Sequence, residues 1–346
     1  VHRIRVLQSF GTPRRTTNPY LVMLRDSLES SDDVECLPFS WRSALTGSYD
    51  VFHVHWPDTL LAGRSWVTRS GKRVALAGLL LRLRLRGTPV VRTLHNIREP
   101  EAWWLDRRLL RALDSQATVG IRINESTPEP AGMRSTLIPH GHYRDWYGGI
   151  PRADRVPGRL GYVGLIKPYK GVDALLDAYR GARAHDPSMS LDISGSPADD
   201  AVAESMRAAE RELPGLDVTL RYVDETEFVD AVTRATLIVL PYRFMHNSGS
   251  ALAALSLDRP VLVPDNEANR MLAREVGAGW VLRFQGELDS DDLTTALAAV
   301  AMTPPAPPDL SRREWSDVAA RHADAYRCAV ATTARRKKRA PAGADR

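Results

Sequence analysis

The stretch 237–266, LIVLPYRFMHNSGSALAALSLDRPVLVPDN, constrains the fold more than any other part of the chain. Residues 237–241 and 260–264 are short apolar runs of the kind buried in parallel sheets, and 250–257 has the small and apolar residues of a helix packed on a sheet. Strand, turn, helix and strand make one right-handed crossover unit, the building block of an α/β fold. In the turn, His246-Asn247-Ser248-Gly249-Ser250, a polar side chain caps the new helix and glycine lets a ligand approach the backbone. The free N–H groups and positive dipole end of such a helix favour a phosphate by about 0.3–1 kcal/mol. Asn247, Ser248, Gly249 and Ser250 are therefore candidate anion-binding residues, although an ordinary capped helix carries the same signature.

At 346 residues, 43% apolar and 26% charged, the chain has material for about two buried cores. Cys36 and Cys328 lie far apart and offer neither a disulfide framework nor a metal-ligand cluster, which fits a reducing cytoplasm. No basic-then-apolar leader is visible, Val1 reads as an alternative start codon, and the longest apolar run, 74–81, falls short of the ~20 residues of a membrane span. The formal charge of +5 comes from 47 basic and 42 acidic residues, with five of the bases in RRKKR at 335–339. That balance hides an asymmetry: 59–98 holds nine Lys or Arg and no acid, which predicts one strongly positive region.

In chain order, 2–8 reads as a first strand, with Gly11 in the loop after it and a helical pattern over 21–28. The strand at 49–58 ends in His55, Trp56 and Asp58, the one at 88–96 leads into His95, Arg98, Glu99 and Glu101, and 135–138 runs into PHGHY. Polar and aromatic residues where a buried strand stops point into the crevice above an open α/β sheet. His53 reads as structural, packed beside its strand, and metal-ligand spacing on a helix is absent. Residues 71–86, GKRVALAGLLLRLRLR, read as a helix with Arg82 and Arg86 one turn apart. It is either a solvated surface helix or a membrane-facing one, each base adding about 1 kcal/mol on anionic lipid, with Trp66, Trp103 and Trp104 as interfacial anchors.

After a linker at 152–159, GLIKPYKG at 164–171 is a second glycine-bearing strand-to-helix turn, whose Lys167 and Lys170 suit the separate oxygens of a diphosphate. It has neither P-loop nor G-x-G-x-x-G spacing. Gly195 marks another strand-end turn, 218–223 reads as a strand, and 225–235 and 288–302 read as helices. A proline-rich bridge leads to a last helix over 312–330, in which Trp315, Val318, His322 and Tyr326 recur at helical spacing.

NPY at 18–20, HVHWPD at 53–58, TLHN at 93–96, IPHGHY at 138–143, GLIKPYKG, NSGSALAALSLDRPVLVP at 247–264 and the closing tryptophan-bearing helix occur in an order that resembles a GT-B glycosyltransferase. The resemblance spans nearly the whole chain and is to the family 4-like group that includes bacterial exopolysaccharide mannosyltransferases. It implies an α/β protein of two Rossmann-like domains facing across a cleft. An acceptor-binding domain would cover 1–151 and a nucleotide-sugar-binding domain 152–309, with a helix at 310–331 crossing back to the first and a disordered basic tail over 332–346. The implied reaction moves a hexose, mannose favoured, from a nucleotide sugar such as GDP-mannose or a UDP-sugar to a lipid-linked or growing glycan in exopolysaccharide or envelope synthesis.

On that resemblance Lys167 and Lys170 take the donor diphosphate with the amides of Ser248, Gly249 and Ser250, and Gly11, Gly164, Gly195 and Asn247 complete the donor set. Tyr222 and Val223 meet the base, and His95 lies near the transferred sugar. If the reaction inverts, His95, Asp58, Glu99 and Glu101 are the candidates to take the acceptor's proton, while Tyr20, Trp56, Arg82, Arg86, Trp103 and Trp104 are directed to acceptor or membrane. Two departures from the family pattern stand out: Met245 and Ala253 replace a pair of glutamates, and Leu165 replaces an arginine. No D-x-D motif accompanies the candidate acids, so neither metal nor cofactor is expected, and no nucleic-acid partner. The expected location is the cytoplasm, peripherally on the anionic inner face of the cell membrane. The rival expectations are a sugar-nucleotide epimerase of the same architecture and a non-catalytic polyanion-binding protein using 59–98.

Overall fold

The computed structural model describes residues 3–95, 103–129, 132–301 and 306–339. The chain forms two compact units, Val1–Gly141 with Arg313–Arg346 and His142–Arg312. The first unit alternates β1 (Ile4–Gln8), α1 (Pro19–Glu29), β2 (Val34–Leu37), α2 (Trp41–Thr46), β3 (Val51–Val54), α3 (Trp66–Arg86), β4 (Val90–Leu94), α4 (Trp104–Gln116), β5 (Ala117–Arg122) and β6 (Arg134–Leu137). Its six strands are parallel in the order β2-β1-β3-β4-β5-β6. The order reverses between β1 and β3, so the loops after these strands border the crevice at the sheet's carboxyl edge.

The second unit runs α5 (Arg144–Tyr147), β7 (Arg159–Val163), α6 (Val172–His185), β8 (Ser190–Ser194), α7 (Asp200–Glu212), β9 (Leu216–Thr219), α8 (Glu225–Arg234), β10 (Leu237–Val239), α9 (Gly249–Ser256), β11 (Val261–Pro264), α10 (Glu267–Val276), β12 (Val281–Phe284) and α11 (Ser290–Ala301). Its parallel order, β9-β8-β7-β10-β11-β12, is that of a dinucleotide-binding sheet, with the switch point between β7 and β10. The 237–266 stretch is its centre: β10 is wholly buried, and α9, apolar almost all round, is buried over 251–256. The last helix, α12 (Trp315–Arg339), belongs to the first unit, where it packs on α1 and on β3, β4 and β5. One face of the first sheet thus lies under α1 and α12, and the other packs Phe52 and Val54 on Leu76, Leu79 and Leu83 of α3.

Several expected boundaries move. The chain passes to the second unit at 141/142 rather than 151/152, because Tyr143 donates its amide to Ser256 Oγ of α9 (2.9 Å) and so fastens α5 to the second sheet. Helix α3 begins at Trp66, earlier than residue 71, since Ser65 caps it by accepting from the Thr68 amide. Strand β9 stops at Thr219, which leaves 220–223 beyond the sheet. Helix α12 continues to Arg339, so the segment expected to be disordered from 332 is helical over 332–339; residues 340–346 lie outside those described. Strands β2 and β12 and helices α4 and α10 are elements that the pattern reading passed over.

Candidate functional site

In the second unit the loops flanking the switch point are GLIKPYKG after β7 and the turn before α9. Arg243 joins them, its N–H donating to the Tyr169 carbonyl (3.1 Å) and its guanidinium pairing with Asp173 (2.6 Å). A 3₁₀ turn over Pro168–Lys170 closes at Gly171, φ 67°, where any Cβ would strike the Pro241 carbonyl oxygen. Gly195, φ 153°, abuts the Gly164 carbonyl in the same way. Gly164 in turn faces α9: a Cβ on it would stand 3.4 Å from Ser250 Oγ. The two motifs are thus adjacent through backbone that only glycine permits.

Lys170 is half-buried with Nζ 3.8 Å from the Tyr242 ring centroid, a cation–π contact that holds the ammonium without neutralising it. Burial pulls its pKa down to about 8, opposed by Tyr169 and assisted by Lys167. Ser248 caps α9 by accepting from the Ala251 N–H (3.2 Å), while helix geometry gives the Gly249 and Ser250 amides no acceptor within the helix. Beside them the Tyr242 phenol, pushed up to about 12 by burial, feels the Ser250 and Ser248 hydroxyls, yet no described group completes a hydrogen bond to it.

Met245 and Ala253, where the resemblance puts carboxylates, are both buried. The Met245 carbonyl accepts from Asn266 Nδ2 (2.8 Å). Tyr222 is exposed and Val223 half-buried, just ahead of the Asp224–Glu227 capping box of α8. An aspartate pair of D-x-D spacing does occur, at Asp289-Ser290-Asp291, but there Asp289 accepts from the Asp292 amide (2.9 Å) at the start of α11. Among the described residues no group of three or more His, Cys, Asp or Glu is arranged to hold a metal ion.

The first unit ends its strands in uncharged rings. His55 Nδ1 and His95 Nε2 are 3.1 Å apart and share a hydrogen, and Trp56 stacks on His95 (3.8 Å, 16°). Tyr20 is the hub, its ring 5.5 Å from His95, 5.9 Å from His55, 4.5 Å from His140 and 5.8 Å from Trp315. His53, as its reading required, is structural: Nε2 meets Thr93 Oγ1 and Nδ1 meets the Tyr326 hydroxyl, each at 2.8 Å. Burial holds His53, His55 and His95 well below the ordinary imidazole range and His140 and His322 at about 4, so the cluster is neutral at pH 7. Neighbouring imidazoles and Arg92 push His95 further in that direction.

These positions correct several expectations. Tyr20 is wholly buried and cannot face a membrane. Asp58 is exposed on the turn after β3 and acts on Arg92, which pairs with Asp114 (3.1 Å), whereas the charges acting on His95 come from other residues. Glu99 and Glu101 lie outside the described residues. Arg82 is committed to the Tyr49 hydroxyl and ring and to the Gly47 carbonyl, which leave its charge in place, while Arg73 pairs with Asp106 (2.6 Å) and Arg92 with Asp114, so part of the positive charge of 59–98 is offset by acids outside it. Arg86 is exposed, as are Trp66, Trp103 and Trp104. Gly11 is exposed in the loop after β1 of the first unit, whereas the other expected donor residues belong to the second. His140, His322 and Tyr326 were not among the candidates; their one sequence signal was a strand-end histidine and a helical repeat.

Two six-stranded parallel sheets with helices on both faces and a returning last helix define the GT-B class of glycosyltransferases. Anabaena HepE in complex with UDP-glucose is similar in structure at a TM-score of 0.60, with 12% identity, over 97% of this chain and 98% of that one. An α,α-trehalose-phosphate synthase (UDP-forming) from Burkholderia vietnamiensis gives 0.59 at 14% identity over 96% and 100%. No protein-family profile matches the chain. A GDP-mannose:glycolipid 4-beta-D-mannosyltransferase from Xanthomonas campestris pv. campestris is 44% identical over 326 residues, 94% of this chain and 92% of the relative. The chain belongs to that mannosyltransferase family and is a nucleotide-sugar-dependent glycosyltransferase. Membership of a transferase family sets aside the epimerase alternative, which the fold alone leaves open.

Proposed function

We propose that the chain transfers mannose from GDP-mannose to a lipid-linked glycan, its second unit taking the donor and its first the acceptor. The relatives' name supports the donor and the acceptor class. The observation that carries the site is the meeting of the Lys167–Lys170 turn with the start of α9 at the switch point of the second sheet. Departure of GDP loads charge on the leaving phosphate. Fixed ammonium groups and helix-start amides oppose that charge with no reorganisation, usually the largest single contribution to catalysis. A Lys170 pKa of about 8 keeps most of it protonated at neutral pH. Gly164, Gly195 and Asn247 leave the diphosphate room at the backbone, and Tyr222 with Val223 borders the guanine.

GDP-mannose carries its sugar as the α anomer, so the 4-beta linkage in the relatives' name requires inversion. Inversion needs a base for the acceptor hydroxyl. His95 is the leading described candidate, because it is uncharged and oriented by both His55 and Trp56. Asp58 is second, and Glu99 and Glu101 keep that role open beyond the described residues. Protein cations carry the leaving-group charge, so transfer should survive chelation with EDTA.

The exposed face of α3 presents Trp66, Val74, Leu81 and Leu85 alongside Trp103 and Trp104. With exposed Arg84 and Arg86 this face suits peripheral binding to an anionic inner leaflet, each base contributing about 1 kcal/mol. Among the described residues no helix is long and apolar enough to cross a membrane. A panel of GDP- and UDP-sugars, read by protection against thermal unfolding and then by transfer, tests the donor. GDP-mannose should protect most, and protection by UDP-sugars alone would sink the assignment. Flotation with anionic liposomes should show salt-sensitive association; its absence would remove the membrane from the reading.

A further inference from the structure

His55, the first residue beyond β3, is 2% exposed and held by backbone and ring contacts alike. Its amide donates to Ser9 Oγ (2.8 Å) and its carbonyl accepts from the same hydroxyl (3.3 Å), which fastens it to the end of β1. Phe10 and Tyr20 meet its ring edge-on at 5.8 and 5.9 Å, and the His53 ring lies 4.2 Å away. A ring so enclosed keeps one orientation. Packing alone does not call for an imidazole here, because Nε2 is buried without a hydrogen-bond partner among the described residues, a cost that an apolar side chain would not carry. The engaged nitrogen is Nδ1, whose partner is His95 Nε2 at 3.1 Å. Contact with His95 is thus what this imidazole supplies.

We propose that His55 is the positioning residue of the transferase base: it accepts the Nε2 hydrogen of His95, keeps His95 Nδ1 unprotonated for the acceptor hydroxyl, and steadies the imidazolium formed during transfer. This rests on the reading of His95 as the base. With Nε2 taken up by His55, Nδ1 is the atom through which His95 receives a proton, so the neutral ring carries its hydrogen on Nε2 and His55 carries its own on Nε2. In the step itself the acceptor O–H bond breaks and an Nδ1–H bond forms on His95. The freed oxygen bonds to the anomeric carbon of mannose, and the bond from that carbon to the diphosphate breaks, releasing GDP. His95 is then an imidazolium whose Nε2–H donates to neutral His55, a charge-assisted hydrogen bond stronger than one between neutral rings. The groups that act on His55 through charge are His95, His322 of α12 and Arg92 of β4, with Tyr20 of α1 and His53 of β3 flanking its ring; no described carboxylate is among them. A neutral imidazole thus fills the place that a carboxylate holds behind the histidine of a serine-protease triad.

The test is ¹⁵N NMR of the imidazoles in the full chain, the His95 signals being assigned by their loss in His95→Ala, together with transfer kinetics. In the wild type His95 should carry its hydrogen on Nε2 alone at pH 7. His55→Leu should let that hydrogen distribute over both nitrogens of His95 and lower kcat about tenfold, the worth of one hydrogen bond to a charged group, with KM for GDP-mannose unchanged. His55→Asn, whose amide oxygen reaches the place of Nδ1, should restore the tautomer and most of the activity. A loss caused only by looser packing would leave the tautomer as it was and would not be rescued by asparagine. A wild-type His95 with its hydrogen on Nδ1 would overturn the proposal without any variant having to fold. A His55→Leu chain with the wild-type tautomer or the wild-type kcat would overturn it too, and in each of these cases the base reading survives. Unchanged kcat in His95→Ala would instead strike the base reading and this proposal with it.

Discussion

Beyond β3 and β4 the first sheet ends in imidazoles and aromatic rings that burial keeps uncharged, whereas beyond β7 and β10 the second ends in glycines, two lysines and a helix start. Both sheets are six-stranded, parallel and reversed in order at one point, so architecture does not account for the contrast. What differs is how each strand end is sealed. Side chains from α1 and α12 close over the first and squeeze out water, which penalises charge. The second is sealed by close backbone approaches at Gly171 and Gly195, and the first amides of α9, which have no acceptor within the helix, suit an anion. A neutral ring cluster suits proton traffic with a sugar hydroxyl, and a cationic backbone nest suits a diphosphate.

The largest effect that would break this division is on catalysis. Replacing both Lys167 and Lys170 with alanine should lower kcat/KM for mannosyl transfer by about 10³-fold, as loss of fixed charge on a leaving group does. Neither lysine is in the core, so the melting temperature should barely move; activity within tenfold of wild type would dissolve the contrast. His95→Ala should cost about 10²-fold in kcat through loss of a general base while leaving GDP affinity, read by calorimetry, near wild type. An equal fall in GDP affinity would show that the two strand ends do not divide the labour.

A smaller effect is on stability in acid. His322 has a folded-state pKa of about 4, below the ordinary 6.5, so the unfolded chain binds the extra proton between those values. Its contribution is therefore whole above pH 6.5 and erodes as pH falls toward 4, by about 2 kcal/mol for the first unit after discounting relaxation. Hydrogen exchange followed by mass spectrometry should see the first unit loosen before the second, and the reverse order would contradict the neutral-cluster assignment. The smallest effect concerns Lys170: GDP should bind more weakly, by tenfold at most, as pH rises through and above about 8, because bound diphosphate itself favours the ammonium. Lys170→Arg should flatten that dependence, since guanidinium does not titrate there.

The parts of this molecule that were legible in its sequence are those written in neighbouring residues. The apolar runs flanking 250–257 gave β10, α9 and β11, and Ser248 caps its helix as its position required. The Lys167–Lys170 turn falls beside it because both follow strands that meet at a switch point, which follows from α/β connectivity. Local period could not reveal that Tyr326 hydrogen-bonds His53 across 273 residues of chain, that α12 helps to turn Tyr20 from a surface candidate into a buried hub, or that Arg82 is spent on Tyr49 and Gly47. Capping, helical spacing and strand alternation are set within a few residues. Burial, and with it the charge state of every imidazole in the cluster, is set by whichever distant element covers the strand end, and only the folded chain decides that.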